Sequence, residues 1–286
     1  AQQVTSYEYD YRFGQVVKTI DPNGAISKIS LDALGRSVKE EYSDPAQTLP
    51  TSLFTKKIVS YDLYSQNGGV VGWKTVETNF LDETTTTLPR TNKSITYTDG
   101  FGRTVQTRTQ AEAVIGATSE RYTAVDTIYN NIGQVAKTSL PYFSDNDVRT
   151  IANADQRLFV SLSYDSVYRV VSTTNVIGNS TNNYDDWKVT TTDANGKIKS
   201  LYKDAFDKLV RVDEHNGNNA YTTKYTYDGM GNLVKIVDAL NNVRNFTYDG
   251  LGRRTKAEDL HASGDSTFGI WNYQYNLVGN LESRSD

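Results

Sequence analysis

Nine of the 20 glycines in this chain have Asp or Asn three residues earlier, where random placement of its 24 Asp and 23 Asn would give about three. No other feature constrains the fold as much. In a type I turn, Asp or Asn at the first position accepts backbone N–H bonds, and Gly is favoured at the fourth. A three-residue hairpin loop makes that fourth residue left-handed, forming a G1 bulge. Seven such pairs are therefore read as structural turn residues. They are Asp32 with Gly35, Asp99 with Gly102, Asn130 with Gly133, Asp193 with Gly196, Asp228 with Gly231, Asp249 with Gly252, and Asn276 with Gly279.

Most of these pairs sit in a longer unit, Tyr-Asp-x-x-Gly-[Arg/Asn]. It reads Tyr227-Asp228-Gly229-Met230-Gly231-Asn232 and Tyr248-Asp249-Gly250-Leu251-Gly252-Arg253. Shorter versions are Asp21-Pro22-Asn23-Gly24, Asn175-Val176-Ile177-Gly178 and Asp193-Ala194-Asn195-Gly196. In Asp204-Ala205-Phe206-Asp207 and Asp238-Ala239-Leu240-Asn241 the fourth place falls to residues that tolerate left-handed backbone. The sequence offers no account of Tyr168 in Asp165-Ser166-Val167-Tyr168, and Tyr9-Asp10-Tyr11-Arg12-Phe13-Gly14 has one extra residue before its Gly.

Asp21 to Asp32, Asp193 to Asp204 and Asp238 to Asp249 each span 11 residues, room for a turn and a strand of roughly 6 to 8 residues. Segments such as Leu233-Val234-Lys235-Ile236-Val237 are rich in β-branched residues, and helix signals are nearly absent. The fold class predicted is all-β: an antiparallel meander of tandem β-hairpins forming a curved strip, with helix below about one tenth of residues. The rhythm breaks at 44–94 and 141–156, read as long loops or irregular hairpins within a single array over 1–286.

Only 37% of residues are hydrophobic, and Tyr (20) outnumbers Phe (9) and Trp (3), which suits a thin sheet with wet faces whose rings keep an oxygen in water. The net charge of −4, with no basic stripe, argues against a nucleic-acid surface. There is no cysteine and no apolar run approaching the roughly 20 residues of a membrane helix. Gly229-x-Gly231 and Gly250-x-Gly252 lack the third glycine of a dinucleotide fingerprint, and no EF-hand loop accompanies the Asp residues, so no cofactor or metal is expected. Asp213-Glu214-His215 reads as a solvated loop, and no catalytic residue is assigned. Tyr and Trp ladders are read as cross-strand packing before glycan stacking.

The Tyr-Asp-x-x-Gly-Arg unit, with turns every 10 to 11 residues, resembles the YD or RHS repeat of bacterial polymorphic toxins and of teneurins. Thr96-Tyr97-Thr98-Asp99-Gly100-Phe101-Gly102-Arg103-Thr104-Val105-Gln106-Thr107 is similar to the B component of insecticidal toxin complexes. The resemblance implies a β strip wound into a hollow shell, which in the toxins encloses a C-terminal toxic domain and in teneurins supports adhesion. Asp21-Pro22-Asn23-Gly24-Ala25 only superficially matches the self-cleaving RHS core motif, and no variable toxin domain is visible.

The expected role is a structural wall segment of a secreted or surface shell of bacterial origin. Its partners would be the rest of the shell and an enclosed cargo or toxin domain. The alternative is an adhesion module that presents its sheet to a glycan or receptor. Tyr9-Asp10 opens the array almost at once and a fresh turn stands near its end, so the chain is expected to be a fragment that self-associates through edge strands.

Overall fold

The computed structural model describes residues 3–43, 53–66, 69–81, 90–111, 120–149 and 157–286. These residues form 24 strands and no helix, and the protein is all-β and antiparallel. It divides into two compact units, Ala1–Val160 and Ser161–Asp286.

The first unit is a meander in which each strand pairs with the next. Its strands are β1 (Ser6–Asp10), β2 (Gln15–Ile20), β3 (Ile26–Leu31), β4 (Ser37–Tyr42), β5 (Phe54–Gln66), β6 (Gly69–Phe80), β7 (Thr91–Asp99), β8 (Thr104–Ala111) and β9 (Arg121–Tyr129). One side of β9 is then shared by β10 (Val135–Ser139) and β11 (Tyr142–Ser144). Pro141, which has no N–H to give a ladder, lies in the gap between them.

The second unit is entered in β12 (Phe159–Tyr164) and repeats the pattern. It continues through β13 (Val170–Thr174), β14 (Asn179–Asp185), β15 (Lys188–Thr192), β16 (Ile198–Lys203), β17 (Leu209–Asn216), β18 (Asn219–Tyr227), β19 (Leu233–Val237), β20 (Asn242–Tyr248) and β21 (Arg254–Glu258). The short β22 (His261–Ala262) returns to β20, and β21 pairs with β23 (Ile270–Tyr275), which pairs with β24 (Leu281–Ser285).

Successive turns of a meander alternate between the two ends of its strands, and the two kinds of repeat unit sort accordingly. The full units fall at one end, and behind each turn the ladder skips one residue. The skipped residues are Val38, Val105 and Ala136 in the first unit and Val171, Val210, Val234, Thr255 and Glu282 in the second. Each lies six places after the Asp or Asn that opens its turn. The turns at Asp21, Asp193 and Asp238 fall at the other end and keep register, with Ile20 opposite Ile26, Thr192 opposite Ile198 and Val237 opposite Val243. Bulges raise local twist, so each of these eight turns bends its strands at that end.

The stretch 44–94, expected as a long loop or irregular hairpin, takes the second form: β5 and β6 pair antiparallel with one register shift. Its described residues build the two longest strands, β5 with 13 residues and β6 with 12. Residues 44–52, 67–68, 82–89 and 150–156 lie outside the described set.

The core is small and uneven. In the first unit Ile95, Tyr97 and Tyr122 are buried together, with Tyr64, Val76 and Val105 packed against them. In the second, Val212 and Ala257 are the apolar side chains that reach full burial among the described residues. Cross-strand pairs and turn chemistry must therefore carry much of that unit's stability.

Candidate functional site

The repeat unit is the feature with the most developed chemistry. At Asp249, carboxylate Oδ1 accepts the backbone N–H groups of Leu251 (3.0 Å) and Arg253 (3.0 Å), while Oδ2 accepts Arg253 Nε at 2.7 Å. The Asp249 carbonyl accepts the N–H of Gly252, whose φ is +75°. The turn from Asp32 to Gly35 (φ +78°) repeats this pattern, as does the turn from Asp99 to Gly102 (φ +77°), each with its following arginine. Asn130 and Asn276 accept the two backbone N–H groups through an amide oxygen, ahead of Gly133 (φ +84°) and Gly279 (φ +89°). Asp193 does so with a carboxylate, ahead of Gly196. At the turn from Asp228 to Gly231, Asn232 takes the place of the arginine.

The sequence reading gave these glycines a conformational role alone, and at three of them the structure adds a spatial one. A Cβ on Gly35 would stand 2.7 Å from the ring of Phe13, one on Gly133 would stand 3.3 Å from Arg103 Nη1, and one on Gly231 would stand 3.2 Å from Lys208 Cε and closer still to its Nζ. All three neighbours belong to the preceding repeat unit. At Gly279 the nearest such atom, Arg253 Nη1, is 3.9 Å off, an ordinary contact, so there the backbone conformation is the whole requirement.

Asp207, Asn241 and Tyr168 all take positive φ, at 64°, 64° and 66°. Tyr168 thus occupies the glycine position. Asp165 still binds the N–H groups of Val167 and Arg169 and the Arg169 side chain, so the first residue of the turn holds the geometry against the cost of a left-handed tyrosine.

Gly231 and Gly229 stand two residues apart with opposite demands. Gly231 has φ +92°, whereas Gly229 has ordinary φ and open space where a Cβ would stand. Gly231→Val should cost about 1 to 3 kcal/mol and Gly229→Ala clearly less. Equal losses in urea melts would show that the left-handed residue is misplaced.

Four of the turn carboxylates, Asp32, Asp228, Asp238 and Asp249, are held below their ordinary value of 3.8. At Asp32 and Asp249 the chief cause is the backbone N–H of Arg36 and Arg253; at Asp228 and Asp238 it is the side-chain amide of Asn232 and Asn242. A lowered folded value means that stability is fully present above the unfolded value and lost as pH falls through the folded one. Denaturation midpoints should therefore be flat from neutrality to about pH 5 and fall below about pH 4. Asp228→Asn should weaken that acid dependence; a variant with an unchanged acid limb would remove the turn carboxylate from its cause.

Six tyrosines that stand before an Asp or Asn act on the unit before them. Tyr61 Oη donates to the Ser37 carbonyl, Tyr129 to Thr104, Tyr184 to Val170, Tyr227 to Leu209, Tyr248 to Leu233 and Tyr275 to Arg254, at 2.9 to 3.2 Å. Each acceptor immediately precedes a bulged residue. The same rings carry the previous unit's cation: Arg36 over Tyr61 (4.1 Å), Arg103 over Tyr129 (4.5 Å), Arg169 over Tyr184 (4.3 Å), Lys208 over Tyr227 (5.3 Å) and Arg253 over Tyr275 (4.9 Å). The ring and hydroxyl together latch one unit to the last. The sequence reading gave these hydroxyls to water, whereas they bond to backbone. The missed signal was Tyr before Asp and a cation after Gly in neighbouring copies. It also identifies Tyr61-Asp62 and Tyr184-Asp185 as members of the series.

The first unit adds a buried polar cluster that the sequence reading did not find. Arg108, 1% exposed, donates to Gln106 Oε1 (2.8 Å), Ser144 Oγ (2.8 Å), the Val148 carbonyl (2.6 Å) and the Asn146 carbonyl. Gln106 Nε2 donates to Asp126 (2.6 Å) and Tyr142 Oη (3.1 Å), and Arg157 pairs with Asp126. Lys74 pairs with Asp147 at 2.7 Å, and Tyr97 Oη donates to the Asp147 carbonyl. The segment Asp145–Arg149 is thereby bolted across the sheet. Burial, with the nearby Asp126 carboxylate, pushes the Tyr142 phenol up to about 12, so it stays a neutral donor or acceptor here.

A cleft of about 360 Å³ beside this cluster is lined by Arg103, Val105, Asp126, Ile128, Tyr129 and Phe159 among others, and its Arg103 and Arg157 are already paired with Asp99 and Asp126. Asp213, Glu214 and His215 lie on β17 instead of in a loop. Asp213 is buried and bound by Arg211 and Thr222. His261 stacks on Phe268 at 3.6 Å. Among the described residues no cluster of three or more His, Cys, Asp or Glu is placed to hold a metal ion, and no helix is long and apolar enough to cross a membrane.

A family model described as the RHS repeat matches residues 204–243, which hold the turns at Asp204, Asp228 and Asp238. The chain carries RHS-repeat sequence over that segment. A second model, a domain of unknown function (DUF6443), matches residues 71–194, the part of the chain that contains the Arg108 cluster. Among solved structures it is similar to the TcdB2-TccC3-TEV crystal structure, with TM-score 0.70 and 17% identity over 98% of this chain and 20% of that one. It is also similar to the Photorhabdus luminescens Tc holotoxin pore (TM-score 0.69, 17% identity, 98% and 20%) and to TcdB2-TccC3-Cdc42 (0.65, 15%, 95% and 21%). At such identities the likeness is one of fold, and the chain spans about a fifth of the length of these chains. No curated protein sequence matches it.

Proposed function

We propose that this chain is a non-catalytic wall segment of a secreted bacterial shell that encloses a toxin or other cargo domain, with residues 1–286 forming one section of the array. The latch carries the reading: six tyrosines clasp the preceding unit through a hydroxyl, five of them under a stacked cation, and this chemistry is spent on continuity of the sheet. The fold likeness to Tc toxin structures supports it. The mechanism is containment, in which backbone ladders keep protease and solvent on one side of the sheet.

Limited proteolysis of the full-length gene product tests this. Polypeptide enclosed by the wall should resist protease in the native state. It should become cleavable when Tyr227, Tyr248 and Tyr275 are replaced by Ala and the latches open. Uniform cleavage outside the repeats while the wall remains intact would overturn enclosure. Saturable binding of the intact protein to a glycan or cell surface would favour adhesion in its place.

A further inference from the structure

Asn23-Gly24, Asn195-Gly196 and Asn216-Gly217 are identical as dipeptides, and the fold treats their glycine N–H groups differently; a further pair, Asn67-Gly68, lies outside the described residues. An Asn-Gly pair is prone to cyclise, because no side chain on the glycine keeps its backbone nitrogen from reaching the asparagine Cγ. That nitrogen attacks only when its own proton is free to leave.

In the first two pairs the proton is held. Gly24 donates to the Asp21 carbonyl and Gly196 to the Asp193 carbonyl, both at 3.0 Å. The asparagine N–H groups are held as well, Asn23 by Asp21 Oδ1 at 2.8 Å and Asn195 by Asp193 Oδ1 at 2.9 Å. The same oxygens take the N–H groups of Ala25 and Lys197, each at 2.8 Å. Rotating either Asn-Gly peptide plane toward Cγ means opening the whole turn.

The third pair stands in another kind of turn. Gly217 and Asn218 form the loop between β17 and β18, whose last pairing is Asn216 opposite Asn219. Gly217 has φ +59°, the glycine-first pattern of a type II′ hairpin. Among the described residues its N–H has no acceptor, and nothing stands within 4 Å of its Cβ position. Asn216, Gly217, Asn218 and Asn219 are all exposed.

We propose that Asn216 is a site of spontaneous modification, converting to aspartate and isoaspartate ahead of Asn23 and Asn195. Once a solvent base has taken the Gly217 amide proton, the nitrogen attacks Asn216 Cγ. The new C–N bond closes a succinimide ring, and the side-chain nitrogen leaves as ammonia. Water then opens the ring at either carbonyl. One opening leaves aspartate in an unchanged backbone; the other routes the chain through the side chain and lengthens it by a methylene. A tight loop sets its hairpin's register, so the lengthened product parts Asn216 from Asn219 and frays β17 from β18 at that tip. Either product adds a carboxylate on the strand face that already carries Glu214.

Timed incubation of the 286-residue chain at mildly alkaline pH, followed by peptide mapping with mass spectrometry, tests this. Asn216 should convert about tenfold faster than Asn23 or Asn195, because their turns must lose hydrogen bonds before they can react. In urea, where no turn holds, the three rates should converge. Asp193→Ala, which removes the carboxylate from one turn, should raise the native rate at Asn195 while Asn23 keeps its own. An Asn216 that stays unmodified, or an Asn23 or Asn195 that converts as fast in the native chain, would overturn the proposal. So would a lead for Asn216 that persists in urea, or an Asn195 that stays slow in Asp193→Ala.

Discussion

Gly72→Ala should destabilise the first unit by about 3 kcal/mol, the largest loss expected from adding one methyl group to this protein. Gly72 is buried in β6 opposite Asp99, and a Cβ built on it would stand 1.8 Å from the Thr98 carbonyl oxygen. That atom belongs to backbone, so no side-chain rotation relieves the clash; β6 and β7 would have to part just behind the Asp99 turn. Gly100→Ala, 28 residues on, is the internal control, because nothing stands within 4 Å of its Cβ position and its φ is ordinary. Urea melts of the two variants beside wild type decide it. If Gly72→Ala and Gly100→Ala lose the same stability, the close approach of β6 and β7 is not what requires glycine at 72.

Arg108→Ala should cost about 3 to 5 kcal/mol, because it removes a buried guanidinium that holds four acceptors at once and strands the buried Gln106 side chain. The side chain satisfies Gln106 Oε1, Ser144 Oγ and the carbonyls of Asn146 and Val148. Arg108→Lys should recover little, since a single ammonium cannot reproduce a planar fork that reaches three directions. The loss should have a local signature as well as a global one. Asp145–Arg149 should become cleavable by protease under conditions where the second unit stays intact. A variant within about 1 kcal/mol of wild type, with that segment still protected, would show that the segment is held by Lys74 and Tyr97 without the guanidinium.

These two sites differ in how far the sequence foretold them. The turns were legible because their chemistry is local. An Asp that binds the N–H groups two and four residues ahead, and a residue at positive φ three ahead, fit within five consecutive residues, so Asp228–Asn232 and Asp249–Arg253 can be read from the chain alone. The 11-residue spacing then required strands between turns and an antiparallel order. Even the substituted copies at Asp207 and Asn241 follow the same rule, with φ of 64° in each. What stands against a turn glycine was not legible, because Phe13 reaches Gly35 from 22 residues away and Arg103 reaches Gly133 from 30.

The latch was only half legible. Its residues flank many of the turns, but the hydroxyl and its acceptor lie 14 to 25 residues apart, a variable distance that no fixed period exposes. Tyr61-Asp62 has no turn of its own after it, and only its contact with Arg36 and Ser37 shows what it is. The burial of Gln106 and Arg108 was not legible at all. Alternation along Thr104–Arg108 suggests an inward Val105 with Gln106 and Arg108 outward, yet Val105 is the bulged residue: it still packs on the core, and the bulge shifts the alternation behind it so that Gln106 and Arg108 face inward as well.

The sequence by itself thus determined the hairpin and the antiparallel strand order. It could do so because backbone hydrogen bonding within a few residues sets them. Tertiary structure alone decided which polar groups went inside. A buried guanidinium is tolerable only where distant carbonyls converge on it, and those of Asn146 and Val148 reach Arg108 from 38 and 40 residues away.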